Sequence, residues 1–269
     1  MDKNEVSYLE LVSKQCSFQK SLAFNSPYEY KGVKFYPVGL EFLMEFYTCV
    51  QVLTVRQEWV KDKKLMKLPY LWFLAYAFEN QDKYENPEYG MYIPLLYALL
   101  ELVTKSKNIS IMLEHKDNGD FKKCNLVIDG VLLDYKDFNQ IRKIILEQSG
   151  IECDLEEFIN EDTYKALNDG KEFENKQNNY VPPTLENLID ILAMYLHKGT
   201  GEIIELFTIR KFNNTIRYMS TFEEWKLLKG AEMGGMVSFK QPIPHWISGF
   251  DKYDMFKNEN TDYIKKNIT

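Results

Sequence analysis

The apolar pattern changes its period midway along the chain, and this change limits the fold to helices combined with antiparallel strands. In the segments 40–55, 68–78 and 91–104, apolar residues either recur at steps of three and four residues or cover nearly all sides of a predicted helix. The next apolar segments are short, rich in branched residues and separated by turn sequences, and they cover 109–113, 121–129 and 131–135. The sequence therefore predicts an α+β fold that is predominantly helical, with helices around a small antiparallel sheet or hairpin.

Turn and capping residues place further elements in the first half of the chain. Residues 28–38, YEYKGVKFYPV, alternate apolar and polar side chains around a Lys-Gly pair, which predicts a short hairpin. Asp134 is suited to begin a helix, Asp137 lies near its positive end, and Gly150 is suited to end it. We therefore expect a helix over 134–150.

The second half of the chain is expected to form a C-terminal helical lobe. Thr184 can cap a helix over 185–196, and the sequence His197-Lys198-Gly199 can end it. A further amphipathic helix is predicted from near Thr200 towards Leu228, and the glycines from Gly230 onward lower helix propensity.

These elements suggest a division of the chain into lobes. Residues 152–180 are rich in charge and are followed by Val-Pro-Pro, which is typical of a boundary segment. The predicted parts are an N-terminal helical lobe with a small hairpin sheet over 1–150, an acidic helical excursion and linker over 151–183, a C-terminal helical lobe with an extended strap over 184–250, and a polar tail over 251–269.

Charge and hydropathy exclude several classes of partner and location. The 33 basic and 40 acidic residues leave a net charge of -7, which opposes affinity for a phosphate backbone, so no nucleic-acid partner is expected. The longest nearly uncharged apolar stretch, residues 91–103, is shorter than the about 20 residues that span a bilayer. The N-terminus also lacks the apolar run of a signal peptide. We therefore expect a cytoplasmic protein with no membrane partner.

No arrangement of residues in the sequence predicts catalysis, a metal or a cofactor. The cysteines Cys16, Cys49, Cys124 and Cys153 lie far apart and form no C-x-x-C pair, so reduced, mostly buried thiols are expected. The histidines His115, His197 and His245 occur in no metal-binding motif, and we interpret His115 and His197 as turn or surface residues. The sequence thus predicts a protein that is not an enzyme, although an enzyme acting on a nucleotide or peptidoglycan substrate stays an alternative.

Basic residues on the predicted C-terminal helix form one candidate site for a protein partner. Arg210, Lys211 and Arg217 lie there among aromatic residues, and Lys226 and Lys229 follow. Such a mixture can bind an acidic partner helix or nucleic acid, or it can be the solvated face of an amphipathic helix.

The strap that follows this helix is a second candidate. In QPIPHWISGF, residues 241–250, Pro242 and Pro244 favour a stiff extended backbone, and Trp246 supplies an apolar anchor. Trp246 can pin the strap to its own lobe or dock on a partner, and both alternatives stay open from the sequence.

A resemblance to known proteins lies in three blocks of the sequence: YKGVKFYPVGLEFLMEFYTCVQVL at 30–53, LVIDGVLLDYKDFNQIRKIILEQSGIE at 126–152, and the segment 184–248 that begins TLENLIDILAMYLHKG. Together these blocks resemble a family of small proteins from the tail-morphogenesis modules of phages and prophages of Gram-positive, particularly clostridial, bacteria. The family includes tail assembly chaperones, which bind the tape-measure protein, and baseplate or hub components, which remain in the virion.

The resemblance implies a non-enzymatic tail assembly chaperone that binds the tape-measure protein or another tail protein. It implies a location in the host cytoplasm or in the virion tail, other tail proteins of the tube or baseplate as partners, and self-association as a homo-oligomer. A structural baseplate or hub subunit and a phage-encoded inhibitor or regulator of a host protein are the alternative functions.

Overall fold

The computed structural model describes residues 8–57, 63–84, 86–117, 121–151 and 183–235, together with 243, 245 and 246. The chain divides into two compact units, residues 1–211 and 212–269. The lobe boundary expected at 151–183 lies almost wholly outside the described residues, so the predicted lobes stay a prediction.

The first unit begins with a helix and a hairpin. Helix α1 covers Tyr8–Phe24, strand β1 covers Tyr28–Tyr30 and strand β2 covers Val33–Phe35. The two strands pair antiparallel, and the turn residues Lys31 and Gly32 have φ angles of 50° and 85°, the left-handed pair that a tight hairpin requires. The hairpin predicted from the Lys-Gly pair is therefore confirmed, whereas α1 was not predicted because charged residues interrupt its apolar spacing.

A helical layer forms most of the core of this unit. Its longer helices are α2 (Leu43–Val50), α4 (Tyr70–Glu79) and α6 (Tyr92–Thr104), with short helices α3 (Lys63–Met66) and α5 (Gln81–Tyr84) and 3-10 turns at Leu40–Phe42, Gln51–Leu53 and Pro87–Met91. Helix α6 packs against α2, α4 and β2. Phe46, Phe73, Leu96, Leu99 and Leu100 are fully buried among these helices. The three helical segments predicted here are confirmed.

The next element is a three-stranded antiparallel sheet with the order β3-β4-β5. Its strands are β3 (Ile109–His115), β4 (Phe121–Ile128) and β5 (Val131–Leu133). The turn at Asp129 and Gly130 has φ angles of 51° and 81°, as the Asp-Gly signal predicted. Strand β4 packs against α4 and the following helix, and β3 packs against α6. At the edge of β3, the amide N–H of Ile111 donates to the hydroxyl of Tyr97 at 3.2 Å.

Helix α7, Tyr135–Gln148, begins at a capping box. The carboxylate of Asp134 accepts the amide N–H groups of Lys136 and Asp137, and the Asp137 carboxylate accepts the N–H of Asp134 at 3.2 Å. The chain leaves the helix through Gly150 at a φ of 70°. The predicted helix and both of its ends are confirmed.

The remaining helices are α8 (Leu185–Leu196), α9 (Thr200–Leu206) and α10 (Ile209–Met233). Thr184 accepts the amide N–H of Asn187, and His197 ends α8 at a φ of 53°, so the predicted limits of α8 are confirmed. The single helix expected from Thr200 to Leu228 is wrong, because the chain is extended at Phe207 and Thr208.

That break is caused by pairing with a distant segment of the first unit. The amide N–H of Leu40 donates to the Phe207 carbonyl at 2.9 Å, and the N–H of Ile209 donates to the Val38 carbonyl at 3.0 Å. These bonds take the backbone groups that a continuous helix would use, so a new helix starts at Ile209. Its later glycine, Gly230, lies within the helix and does not end it.

The predicted fold class, a predominantly helical α+β protein, is confirmed by this arrangement. Within the described ranges, no helix has the length and apolar character needed to cross a membrane.

Candidate protein-interaction site

Arg210, a predicted partner-binding residue, is used inside the first unit. Its guanidinium donates a hydrogen bond to the carbonyl of Glu147, in the last turn of α7. The side chain is half-buried beside Gly150. Carbonyls at a helix end lack partners within the helix, so a guanidinium there stabilises the terminus. Arg210 therefore holds the end of α7.

The other basic residues of α10 lie along an exposed surface. The Lys211 ammonium lies 4.5 Å from the centre of the Phe207 ring, and the Arg217 guanidinium lies 5.4 Å from that of Tyr218. Further along, Lys226 pairs with Glu223 at 2.7 Å and Lys229 pairs with Glu232 at 2.9 Å. Each of these two cations is thus offset by a carboxylate of the same helix.

Trp246 contacts the helix of its own unit. Within residues 212–269, its ring meets the edge of Phe222 with centroids 5.1 Å apart, and Phe222 stacks on Trp225 at 6.2 Å. His245 lies 5.5 Å from the Trp225 ring, and Ile243 of the same strap is buried. These contacts attach the strap to α10. Pro242 and Pro244, on which its predicted stiffness depends, lie outside the described residues.

The predicted surface histidines of the first unit lie at the ends of secondary-structure elements. His115 is the last residue of β3, where its Nε2 lies 3.0 Å from the Glu79 carboxylate and its ring meets Phe121 edge-on. His197 is exposed at the end of α8. Within the described part of the chain, no cluster of three or more metal-ligating side chains occurs.

Two of the thiols are core groups. Cys49 and Cys124 are buried, and Cys16 is exposed on α1, while Cys153 lies outside the described residues. Burial, with a smaller effect of the Glu79 charge, raises the pKa of the Cys124 thiol to about 12. The thiol is therefore protonated near neutral pH and is a poor nucleophile. The Trp72 indole N–H donates to the Cys124 carbonyl at 3.0 Å, which fixes β4 against α4.

The only carboxylate in the described core, that of Asp137, joins α7 to the first hairpin. It accepts the Tyr30 hydroxyl at 2.9 Å and pairs with the Lys31 ammonium at 2.6 Å. Burial favours a higher pKa for Asp137, but hydrogen bonds from Lys31, Tyr30 and the Asp134 amide outweigh it and hold the pKa below its ordinary value. All of these partners belong to the scaffold, so the network is structural.

Helix α8 carries an exposed apolar surface that sequence reasoning missed. The sequence predicted this helix but not its exposed face, and in the structure only Leu192 and Ala193 of the helix are buried. Ile191, Met194 and Tyr195 are exposed to 44%, 73% and 43%. A signal was present, because apolar residues in α8 extend well beyond the stripe that a single packed face needs.

Helix α9, which adjoins α8, and the segment 40–50 that follows its other contact expose further large apolar side chains. Helix α9 packs against α8 and against the 3-10 turn at 40–42, which leads into α2. The exposed apolar residues on these neighbours are Phe42, Met44, Tyr47 and Leu206. Several contiguous elements of the first unit therefore present apolar groups to solvent, which is characteristic of a protein-binding surface.

No protein-family model, curated protein or solved structure matches this chain.

Proposed function

We propose that this chain is a non-enzymatic binding protein of phage tail morphogenesis, a tail assembly chaperone that holds the tape-measure protein. The single observation that carries a binding role is the exposed apolar surface of α8, where Ile191, Met194 and Tyr195 face solvent. The tail-specific part of the proposal is supported by the resemblance of the segments 30–53, 126–152 and 184–248 to tail-morphogenesis proteins.

The size of the surface suits a reversible partner. Full burial of one large apolar side chain contributes roughly 1.5–3 kcal/mol, and the three side chains on α8 are still 43–73% exposed, so covering them contributes about 2–5 kcal/mol in total. Association itself costs an estimated 4–15 kcal/mol, and contacts from neighbouring elements must supply the remainder. A chaperone has to release its client when the tail tube replaces it, and an interface of this strength is compatible with release.

The scaffold beneath the surface is suited to present it without rearrangement. Leu192 and Ile203 are fully buried between α8 and its surroundings, and the bridge of Gly39 with Thr208 fixes α9 to the 3-10 turn. Because the exposed side chains stand on a packed helix, little conformational entropy is lost by the backbone on binding.

Co-expression with the tape-measure protein of the same phage or prophage tests the proposal. We expect the two proteins to co-purify at low salt, and we expect mass spectrometry of mature particles to lack this chain. Failure to co-purify would contradict the chaperone role. Detection of the chain in mature particles at the abundance of a structural protein would assign it to the baseplate or hub instead.

A further inference from the structure

The exposed apolar residues of α8 form a stripe along one side of the helix. Successive residues of a helix are rotated by about 100°, which places Ile191, Met194 and Tyr195 within one arc and the buried Leu192 and Ala193 away from it. Met194 is the most exposed residue of the stripe, at 73%. This spacing of three and four residues matches the ridge that one helix presents to another.

One side of the stripe is acidic. Asp190 and Glu186 come next around the surface of α8, both are exposed, and neither pairs with a basic side chain among the residues that the structure describes. The neighbouring helix α9, which packs against α8, also exposes the carboxylates of Glu202 and Glu205. The ammonium of Lys198 lies 3.4 Å from Glu202 and offsets only that charge.

From this apolar stripe and its acidic side we propose that α8 is the docking site for a basic amphipathic helix of the partner. Such a helix has apolar residues three and four positions apart and lysine or arginine beside them. Apolar burial would supply affinity, and opposite charges at the rim would favour a basic helix over an acidic one. The inference rests on the proposed binding function and deepens it by assigning the surface and the chemistry of the partner.

A direct test measures binding of the full chain to fluorescein-labelled model helices by fluorescence anisotropy. The probe is a peptide of about 20 residues, long enough to be helical, with leucines at the apolar positions and lysines elsewhere. The comparison peptide has glutamate in place of every lysine. We expect the lysine peptide to bind at least about tenfold more tightly, with an affinity that falls as salt is added.

Variants locate the binding to α8. Met194→Asp places a charge at the most exposed apolar position of the stripe and is expected to weaken binding of the lysine peptide by about tenfold or more. Asp190→Lys keeps the stripe and reverses one rim charge, so it should weaken the lysine peptide and strengthen the glutamate peptide. Met112→Asp is the matched control: this methionine is 57% exposed on β3, and its replacement should leave binding unchanged.

Several results would overturn the assignment. Equal binding of the two peptides would remove the charge argument, and equal losses in Met194→Asp and Met112→Asp would remove the surface. A concentration-dependent dimer that Met194→Asp converts to a monomer would show that a second copy of the chain covers the stripe. The milder Met194→Ser tests the same contact if circular dichroism shows that the aspartate variant is not folded.

Failure of this inference can be separated from failure of the proposed function. If the tape-measure protein co-purifies equally with the wild type and with Met194→Asp, the chaperone role is supported and docking on α8 is refuted. If peptide binding depends on Met194 but the tape-measure protein does not co-purify, the docking site is supported and the chaperone role is refuted.

Discussion

Replacement of Asp137 by asparagine tests whether one carboxylate joins the first hairpin to α7. The substitution keeps the shape of the side chain but removes its charge and converts one acceptor oxygen into a donor. Asp137 is 6% exposed and accepts from the Tyr30 hydroxyl and the Asp134 amide. In Asp137→Asn at least one of these donors would face an amide N–H group or lose its partner.

The expected loss follows from the number and kind of these hydrogen bonds. A hydrogen bond to a charged group contributes roughly 1.5–3 kcal/mol, so Asp137→Asn should lower the free energy of unfolding by about 2–3 kcal/mol. Tyr30→Phe removes only the hydroxyl donor and should cost about 1.5 kcal/mol, the lower end of that range. The Lys31 side chain is 55% exposed, so water and salt screen its ion pair with Asp137.

The loss should depend on pH in a defined direction. The pKa of Asp137 is lowered in the folded state from its ordinary 3.8. The stabilisation by the carboxylate is therefore complete above the unfolded pKa of about 4 and is lost as the pH falls through the folded pKa. The difference in stability between the wild type and Asp137→Asn should consequently narrow below about pH 4.

Urea unfolding followed by far-ultraviolet circular dichroism, repeated from neutral pH to about pH 3, measures both effects. Tyr30→Phe is the comparison: because its hydroxyl donates to the ionised carboxylate, its smaller deficit should narrow over the same pH range. A deficit for Asp137→Asn below about 0.5 kcal/mol at neutral pH, or one that stays constant through the acid range, would refute the reasoning.

Further predictions concern the strap, the end of α7 and the thiols. Trp246→Ala should lower the stability of the second unit by about 1–3 kcal/mol, because the ring is only partly buried against α10, and urea unfolding followed by tryptophan fluorescence would measure it. Arg210→Ala should cost about 1 kcal/mol in thermal unfolding through loss of the bond to Glu147, whereas an unchanged melting temperature would contradict that role. Iodoacetamide near pH 8 should modify Cys16 in the native protein and reach Cys124 only after denaturation, as peptide mass spectrometry can verify, and rapid native labelling of Cys124 would contradict its burial.

Elements specified by local residues could be predicted from the sequence. The hairpin turns at Lys31-Gly32 and Asp129-Gly130 need left-handed backbone angles that these residues tolerate, and the observed φ angles agree. The capping residues Asp134 and Thr184 accept the amide groups that their positions predicted. In each of these cases the determining contact lies within a few residues of the signal.

Features set by distant contacts could not be predicted. The break between α9 and α10 contains no glycine or proline that could have signalled it. It is produced by backbone hydrogen bonds with Val38 and Leu40, which are distant in the sequence. The sequence also predicted a partner-binding role for Arg210, because the contact of its guanidinium with the distant Glu147 carbonyl has no local signal. The exposed stripe on α8 was also missed, since periodicity identifies an apolar face without showing whether another element covers it.

The contact between residues 38–40 and the segment before α10 affects how the protein folds during synthesis. The Thr208 hydroxyl donates to the Asn25 side chain, which lies 183 positions earlier, and the adjacent backbone bridge joins Gly39 to Thr208. The hairpins and α7 can form while translation continues, but Val38 and Leu40 receive these partners only after Ile209 has left the ribosome. Completion of the first unit is therefore a late event on the ribosome, and the nascent chain has to keep this apolar segment from aggregating until then.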